Sequence, residues 1–87
     1  MNMTTFFIQD VYRITGVGVV PVGQVKVGIL KVGMKLALEG KSMEIKSMQM
    51  HHKDIKEAKE GDQVGFALIN GDYDLLKKYA RKYVDFY

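Results

Sequence analysis

A run of valine and glycine limits this chain more than any other feature. Residues 17–27 read VGVVPVGQVKV. Valine loses side-chain freedom in a helix, and glycine pays backbone entropy there. The run is therefore read as a strand, bent at Gly18 and Gly23, where a missing Cβ admits a bulge or a tight barrel corner. Pro21 cannot donate to a ladder, so it belongs at an edge or a bulge.

The flanking segments obey the same logic. Upstream, Phe6, Ile8, Tyr12 and Ile14 share one parity, and Phe7, Gln9, Val11 and Arg13 the other. Alternation with aromatic and β-branched residues predicts a strand over Thr5 to Ile14. GILKVG at 28–33 is a short connection whose Ile29, Leu30 and Val32 are expected to plug one barrel end. Met34 to Leu38 and Met43 to Met50 are two further strands around a Glu39-Gly40-Lys41 turn. In the second of these, Met43, Ile45, Ser47 and Gln49 share a face. The polar stretch from His51 to Asp62 has Ile55 and Ala58 as inward anchors, and Gln63 to Ile69 is the next strand. Five or six short strands separated by glycine turns predict a small closed barrel or sandwich.

After Gly71-Asp72 the period changes. Leu75, Leu76, Tyr79, Ala80, Tyr83 and Val84 recur at helical spacing, with Lys77, Lys78, Arg81 and Lys82 between them. This predicts an amphipathic helix over roughly 73 to 84, capped by Asp72, with the cations late, where the helix dipole favours them. The expected organisation is a barrel over 1–71 and a basic amphipathic helix over 72–87, packed on or beside it.

The 87 residues suit one domain with one modest core. Cysteine is absent, so neither a disulfide nor a thiolate metal site enters the fold. No apolar run approaches the ~18 residues of a membrane span, and the amino-terminal MNMTTFF lacks the pattern of a secretory leader. A cytoplasmic location is expected, with no membrane partner. The formal charge of +3 permits a polyanionic partner without requiring one.

Two glycine-rich stretches imitate phosphate loops, and both fail. Gly16 and Gly18 are followed by Pro21 where a dinucleotide fingerprint needs its third glycine, and valines then continue a strand. Gly40-Lys41-Ser42 resembles the end of a phosphate loop, but Lys35 stands where the first glycine belongs and a strand comes next. No nucleotide is expected. His51 and His52 are adjacent, so on an extended chain they point apart, one outward and one partly packed, and no third metal ligand stands near. No nucleophile has a glycine elbow, and the alternating carboxylates and lysines of 53–62 fit a solvated loop face. No catalytic residue, metal or cofactor is assigned, and the chain is not read as an enzyme. The basic tail with Tyr79 and Tyr83 could touch RNA through phosphates and stacking. The plainer reading, that the tyrosines pack on the barrel and the lysines face water, stands ahead of it.

Four collinear motifs carry a resemblance across roughly residues 6 to 70. They lie at Asp10 to Val20, Gly23 to Gly33, Ile45 to His52 and Gly61 to Phe66. They resemble the second domain of the translational GTPases, nearest to archaeal and eukaryotic elongation factor one-alpha, then elongation factor Tu and the selenocysteine-specific factor. The resemblance implies a six-stranded antiparallel closed β-barrel, with the glycines as its corners. In the family this barrel follows a GTPase domain, which is not among these residues, so a stand-alone second domain without GTP hydrolysis is expected. The family barrel holds the 3′-terminal adenosine of aminoacyl-tRNA. Matched by motif, that pocket falls on Ile14, Val20, Gln49, His52 and Ala67. The family usually has glutamate where this chain has Gln49, whose carbonyl can accept a hydrogen bond but brings no charge. Val19 stands where threonine is frequent. After Gly71 the chain departs from the pattern.

Two functions of different class fit these residues. One is a translation-associated RNA-binding module for a tRNA 3′ end or a ribosomal RNA surface, with Lys77, Lys78, Arg81 and Lys82 adding phosphate contacts. The other is a protein-interaction module that docks on a translation factor or another protein, or on itself. The packing of the tail separates them: cations outward favours RNA, and an exposed leucine-tyrosine stripe favours protein.

Overall fold

The computed structural model describes residues 3–87. Met1 and Asn2, part of the amino-terminal stretch read above as no leader, lie outside them. The elements are β1 (Thr4–Ile14), β2 (Gly18–Val27), β3 (Leu30–Lys31), β4 (Lys35–Leu38), β5 (Lys41–Met50), β6 (Lys53–Ile55), β7 (Glu57–Ala58), β8 (Gln63–Ile69), α1 (Tyr73–Lys77) and β9 (Lys82–Phe86). Six strands run antiparallel in the order β4-β5-β8-β2-β1-β9. The ends of that order meet: Lys35 N–H donates to the Tyr87 carbonyl at 2.7 Å, and Tyr87 N–H donates back at 2.9 Å. One reciprocal pair thus all but closes a six-stranded barrel, which leaves few unpaired edges.

Gly16 and Gly18 turn the chain from β1 into β2 with φ of 81° and 115°, values glycine adopts at little steric cost. The chain continues from them as strand, as the barrel-corner reading requires. Of the residues expected to plug one end, Leu30 is fully buried and Ile29 is largely exposed. The small β3–β7 pair sets Leu30 against Ala58, which is also buried.

The core is an aromatic triad wrapped in aliphatics. Phe6 of β1, Phe66 of β8 and Phe86 of β9 meet edge to face, with centroids 5.0, 5.4 and 6.3 Å apart. Edge-on contact sets the positive ring rim against the negative face. Ile8, Val11, Val25, Leu36, Met43, Ile45, Met48 and Leu76 complete the interior.

Three β-bulges decide which side chains enter that interior. The β1–β2 register advances two residues on β1 for one on β2 between Ile8 and Asp10, so Gln9 is extra. Lys26 is extra on β2, and Lys46 is extra on β5 against β8. A one-residue insertion inverts the facing of every later residue on its strand. On β1, Phe6 and Ile8 point inward, then Val11 takes over, so Tyr12 and Ile14 turn outward instead of sharing the face of Phe6. On β5, Met43 and Ile45 point inward, then Met48, so Ser47 and Gln49 leave the face on which the alternation had placed them.

The expected helix over 73–84 is corrected to five residues, Tyr73–Lys77. Asp72 caps it, its carboxylate accepting from Leu75 N–H at 3.1 Å. The next turn tightens: Lys78, Tyr79 and Ala80 donate to carbonyls three residues back. Arg81 then takes φ 65° and donates to the Ile8 carbonyl, handing the chain to β1 as β9. Along β9 the burial has period two, with Val84 and Phe86 in and Tyr83 and Asp85 out. Tyrosine, valine and phenylalanine suit that pleated, half-buried position. The tail is therefore the sixth strand of the barrel and not an appended helix.

Candidate functional site

The β2–β8 ladder covers only Val22 to Gln24, opposite Gly65 to Gln63. Pro21, the next residue back along β2, has no N–H to continue it. Beyond that point the two strands part, and a cleft of about 420 Å³ opens on the barrel's outer face. Its lining includes all five residues assigned by motif: Ile14, Val20, Gln49, His52 and Ala67. Sequence separation of more than fifty residues between Ile14 and Ala67 is thus closed by the barrel.

Each wall has a local cause. Ile14 ends β1 and is 44% exposed, because the Gln9 bulge turned its parity outward. Val20 and Ala67 are nearly buried and form the apolar floor. Ser47 lies opposite Ala67, and Gln49 opposite Gly65, both aimed outward by the Lys46 bulge. His52 belongs to the two-residue turn that joins Met50 to Lys53. His51 and His52 have φ of 53° and 64°, the arrangement of a type I′ hairpin turn, which usually takes Asn-Gly. Both imidazoles are exposed, which corrects the expectation that one would be partly packed. Two consecutive side-chain-bearing residues in left-handed backbone cost energy, and such strain clusters at functional sites.

The polar side of the cleft is already oriented. Gln49 Nε2 donates to Asp54 Oδ1 at 3.0 Å, across the hairpin from β5 to β6. That bond commits the amide nitrogen and leaves the Gln49 carbonyl as the acceptor for a ligand. The cleft therefore offers apolar surface for a flat ring, one fixed carbonyl acceptor, the Ser47 hydroxyl and an imidazole at its rim. Val17, Val22, Ser47, Gly65 and Phe66 also line it and were not read from the sequence. Gly65 carried a signal, since a glycine within an apolar strand marks close approach. A Cβ there would lie 3.1 Å from Val22 Cγ1.

The helix expected to carry the four cations ends at Lys77, so of the four only Lys77 lies within it. Lys77 ends α1 and pairs with Asp10 at 3.0 Å. Lys78 is the helix cap, Arg81 sits in the turn, and Lys82 begins β9 with its ammonium 5.8 Å from the Tyr79 ring centroid. Leu75 and Leu76 are buried, so there is no exposed leucine stripe, while Tyr83 is largely exposed on β9.

Comparison with known proteins places this architecture. Residues 18–77 match the family model described as elongation factor Tu domain 2. Elongation factor 1-alpha of Methanocaldococcus jannaschii is 57% identical over 61 residues, which cover 68% of this chain and 14% of that protein. The Methanothermobacter thermautotrophicus protein of the same name is 56% identical over 61 residues, 68% of this chain and 15% of that protein. The chain thus spans about a seventh of the length of these relatives. Among solved structures, the translation elongation factor SelB of Methanococcus maripaludis in its apo form superposes with a TM-score of 0.80. It is 28% identical, over 95% of this chain and 18% of that one. A bacterial selenocysteine-specific elongation factor gives a TM-score of 0.79 at 24% identity, a likeness of fold, over 98% of this chain and 14% of that one. This coverage carries the likeness well past Lys77, where the family model stops, and into the closing strand.

Proposed function

The chain belongs to the elongation factor Tu domain 2 family, and from that premise we propose that its cleft binds the single-stranded 3′ end of a tRNA-like RNA. The barrel serves translation as a binding module and performs no GTP hydrolysis itself. The observation that carries this reading is the convergence of Ile14, Val20, Gln49, His52 and Ala67 on one cleft of about 420 Å³. Ile14 and Val20 pack on the terminal base. The Gln49 carbonyl, fixed by Asp54, accepts from a ribose hydroxyl. His52 reaches the sugar or the backbone. Burying a flat base against apolar surface is sequence-tolerant, and the oriented acceptor favours a ribose over a deoxyribose.

The test is a titration of the full chain with a short RNA ending in CCA, followed by amide and methyl chemical shifts. Shifts should map to Ile14, Val20 and Ala67. Gly65→Val, whose side chain crowds Val22 and narrows the cleft, should abolish them while the melting transition persists. Gln49→Glu should strengthen binding if a ribose hydroxyl is the donor, because a charged acceptor makes the stronger hydrogen bond. Shifts that bypass the cleft, with binding indifferent to both variants, would turn the reading toward a protein-docking module.

A further inference from the structure

A second depression lies on the outer face of β1, β2 and β8 and adjoins the cleft, with which it shares Val22. It encloses about 400 Å³, and its walls include Phe7, Gln9, Gly23, Gln24, Lys26 and Gln63. The depression exists because β1 and β2 approach too closely at Gly23 for any side chain: a Cβ there would overlap the Phe7 carbonyl oxygen. Phe7 stands directly across the β1–β9 ladder from Tyr83, and their rings pack at 5.2 Å with planes 58° apart. Tyr83 is 61% exposed. Lys26 Nζ lies 6.0 Å from the Phe7 ring centroid and donates to Gln24 Oε1 at 2.6 Å.

Two of the barrel's three bulge residues, Gln9 and Lys26, line this groove. Bulges re-aim side chains and are over-represented beside functional sites. The amides of Gln9 and Gln63 are exposed and make no side-chain hydrogen bond among the described residues. Asp85, the carboxylate at the far side of Tyr83, is held by the Thr5 hydroxyl at 2.7 Å. An aromatic pair, two unengaged amides and an ammonium form the ligand-facing set. An apolar protein partner would strip water from the amides and from Lys26 with no return. A single-stranded nucleic acid satisfies all three: bases stack on the rings, base or sugar edges meet the amides, and a phosphate meets the lysine.

We propose that the Phe7–Tyr83 pair and the adjoining groove form a second RNA surface, a stacking platform for internal nucleotides of a single strand. This surface meets the cleft at Val22, and its aromatic pair, amides and ammonium belong to the groove and not to the cleft.

Fluorescence anisotropy of the full chain with a ten-nucleotide oligouridylate that carries fluorescein on its 3′ end, and so offers the cleft neither a terminal adenosine nor a free 3′ hydroxyl, tests it. Tyr83→Ala should weaken binding roughly ten-fold, in keeping with the loss of one stacking ring. Tyr83→Phe should keep the affinity. Lys26→Gln should reduce the slope of log affinity on log salt by about 0.7, the loss of one phosphate contact. Ile14→Ala, which removes a cleft wall that the groove does not share, should leave this binding intact. Thermal melts of each variant separate lost contacts from lost fold, and Tyr83 is exposed enough for its truncation to keep the barrel. The proposal is overturned if Tyr83→Ala binds as the parent does, or if Ile14→Ala removes the binding, which would return it to the cleft. It also falls if the parent chain shows no saturable binding, or if Tyr83→Ala changes only self-association, which would make the patch a protein contact.

Discussion

Between β4 and β9 the barrel is joined by one reciprocal pair of backbone hydrogen bonds, Lys35 to Tyr87. Between β2 and β8 the ladder covers three residue pairs and then stops at Val22. Both are places where neighbouring strands are under-paired. Behind the first lie Phe86, Val84 and Leu36, all buried, and the gap is filled from within. Around the second lie Gly65, Ala67, Ser47 and Val20, small side chains that leave a cleft. An under-paired ladder becomes a seam or a binding cleft according to the side-chain volume set against it, because close packing rewards filled space and an open gap keeps room for a ligand.

The most severe way to break the comparison is to remove the seam. Truncation after Gly71 takes away β9 and the buried Leu75, Leu76, Val84 and Phe86. Each such side chain contributes about 1.5–3 kcal/mol by burial, so the loss approaches the ~5–15 kcal/mol that holds a domain together. β1 would also be left with an open edge. The truncated chain should show no cooperative melt by circular dichroism, whereas Phe86→Ala should melt cooperatively with about 3–5 kcal/mol less stability. A truncated chain that melts near the parent temperature would mean that β9 does not close the barrel.

A smaller and opposite effect is expected on the cleft side. Replacing His51 by Asn and His52 by Gly gives the turn the residues its backbone prefers. The double variant should gain about 1 kcal/mol in denaturant melts, since left-handed backbone is strained for a histidine. It should at the same time bind the CCA-ended RNA more weakly. A gain in stability with unchanged binding would leave the strain without a role at the cleft, and no gain at all would dismiss the strain.

The smallest effect comes from two exposed ion pairs near the tail. A hydrogen bond from Lys41 holds the Asp72 carboxyl below the ordinary aspartate range, assisted by Leu75 N–H. Lys77 does the same for Asp10, with help from Val11 N–H. Depressed carboxyl pKa values add stability that is complete above the unfolded value of about 3.9 and is lost as pH falls through the folded values. The pairs are open to solvent, so the gain is slight and is screened by salt. Asp72→Asn and Asp10→Asn should each flatten the acid-side loss of stability below about pH 4. Identical slopes in melts from pH 5 to pH 2 would remove these pairs from the account.

Much of the fold was legible in the sequence. Valine and glycine between Val17 and Val27 ruled out a helix, the glycine turns separated the strands, and Asp72 capped a helix as read. The five cleft residues were legible through collinear motifs, because a motif preserves positions even where the alternation that should orient them fails. The tail was misread because Tyr79 and Tyr83 are four apart, a spacing a helix and a tight turn followed by a strand both satisfy. Phe86, two residues after Val84, was the local hint of period two.

The sequence by itself determined which segments extend, where the chain turns, and which residue types stand at the motif positions. Those are local matters of torsional preference and steric allowance. Tertiary structure alone decided which side each strand shows to the core. Facing on a strand depends on register with its partner, and an extra residue at Gln9 or Lys46 can be counted only against the strand beside it. It also decided that the last five strand residues close the barrel. Their partner is Thr4 to Ile8, at the other end of the chain, and the burial of Phe86 against Phe6 and Phe66 favours a strand where local spacing had allowed a helix.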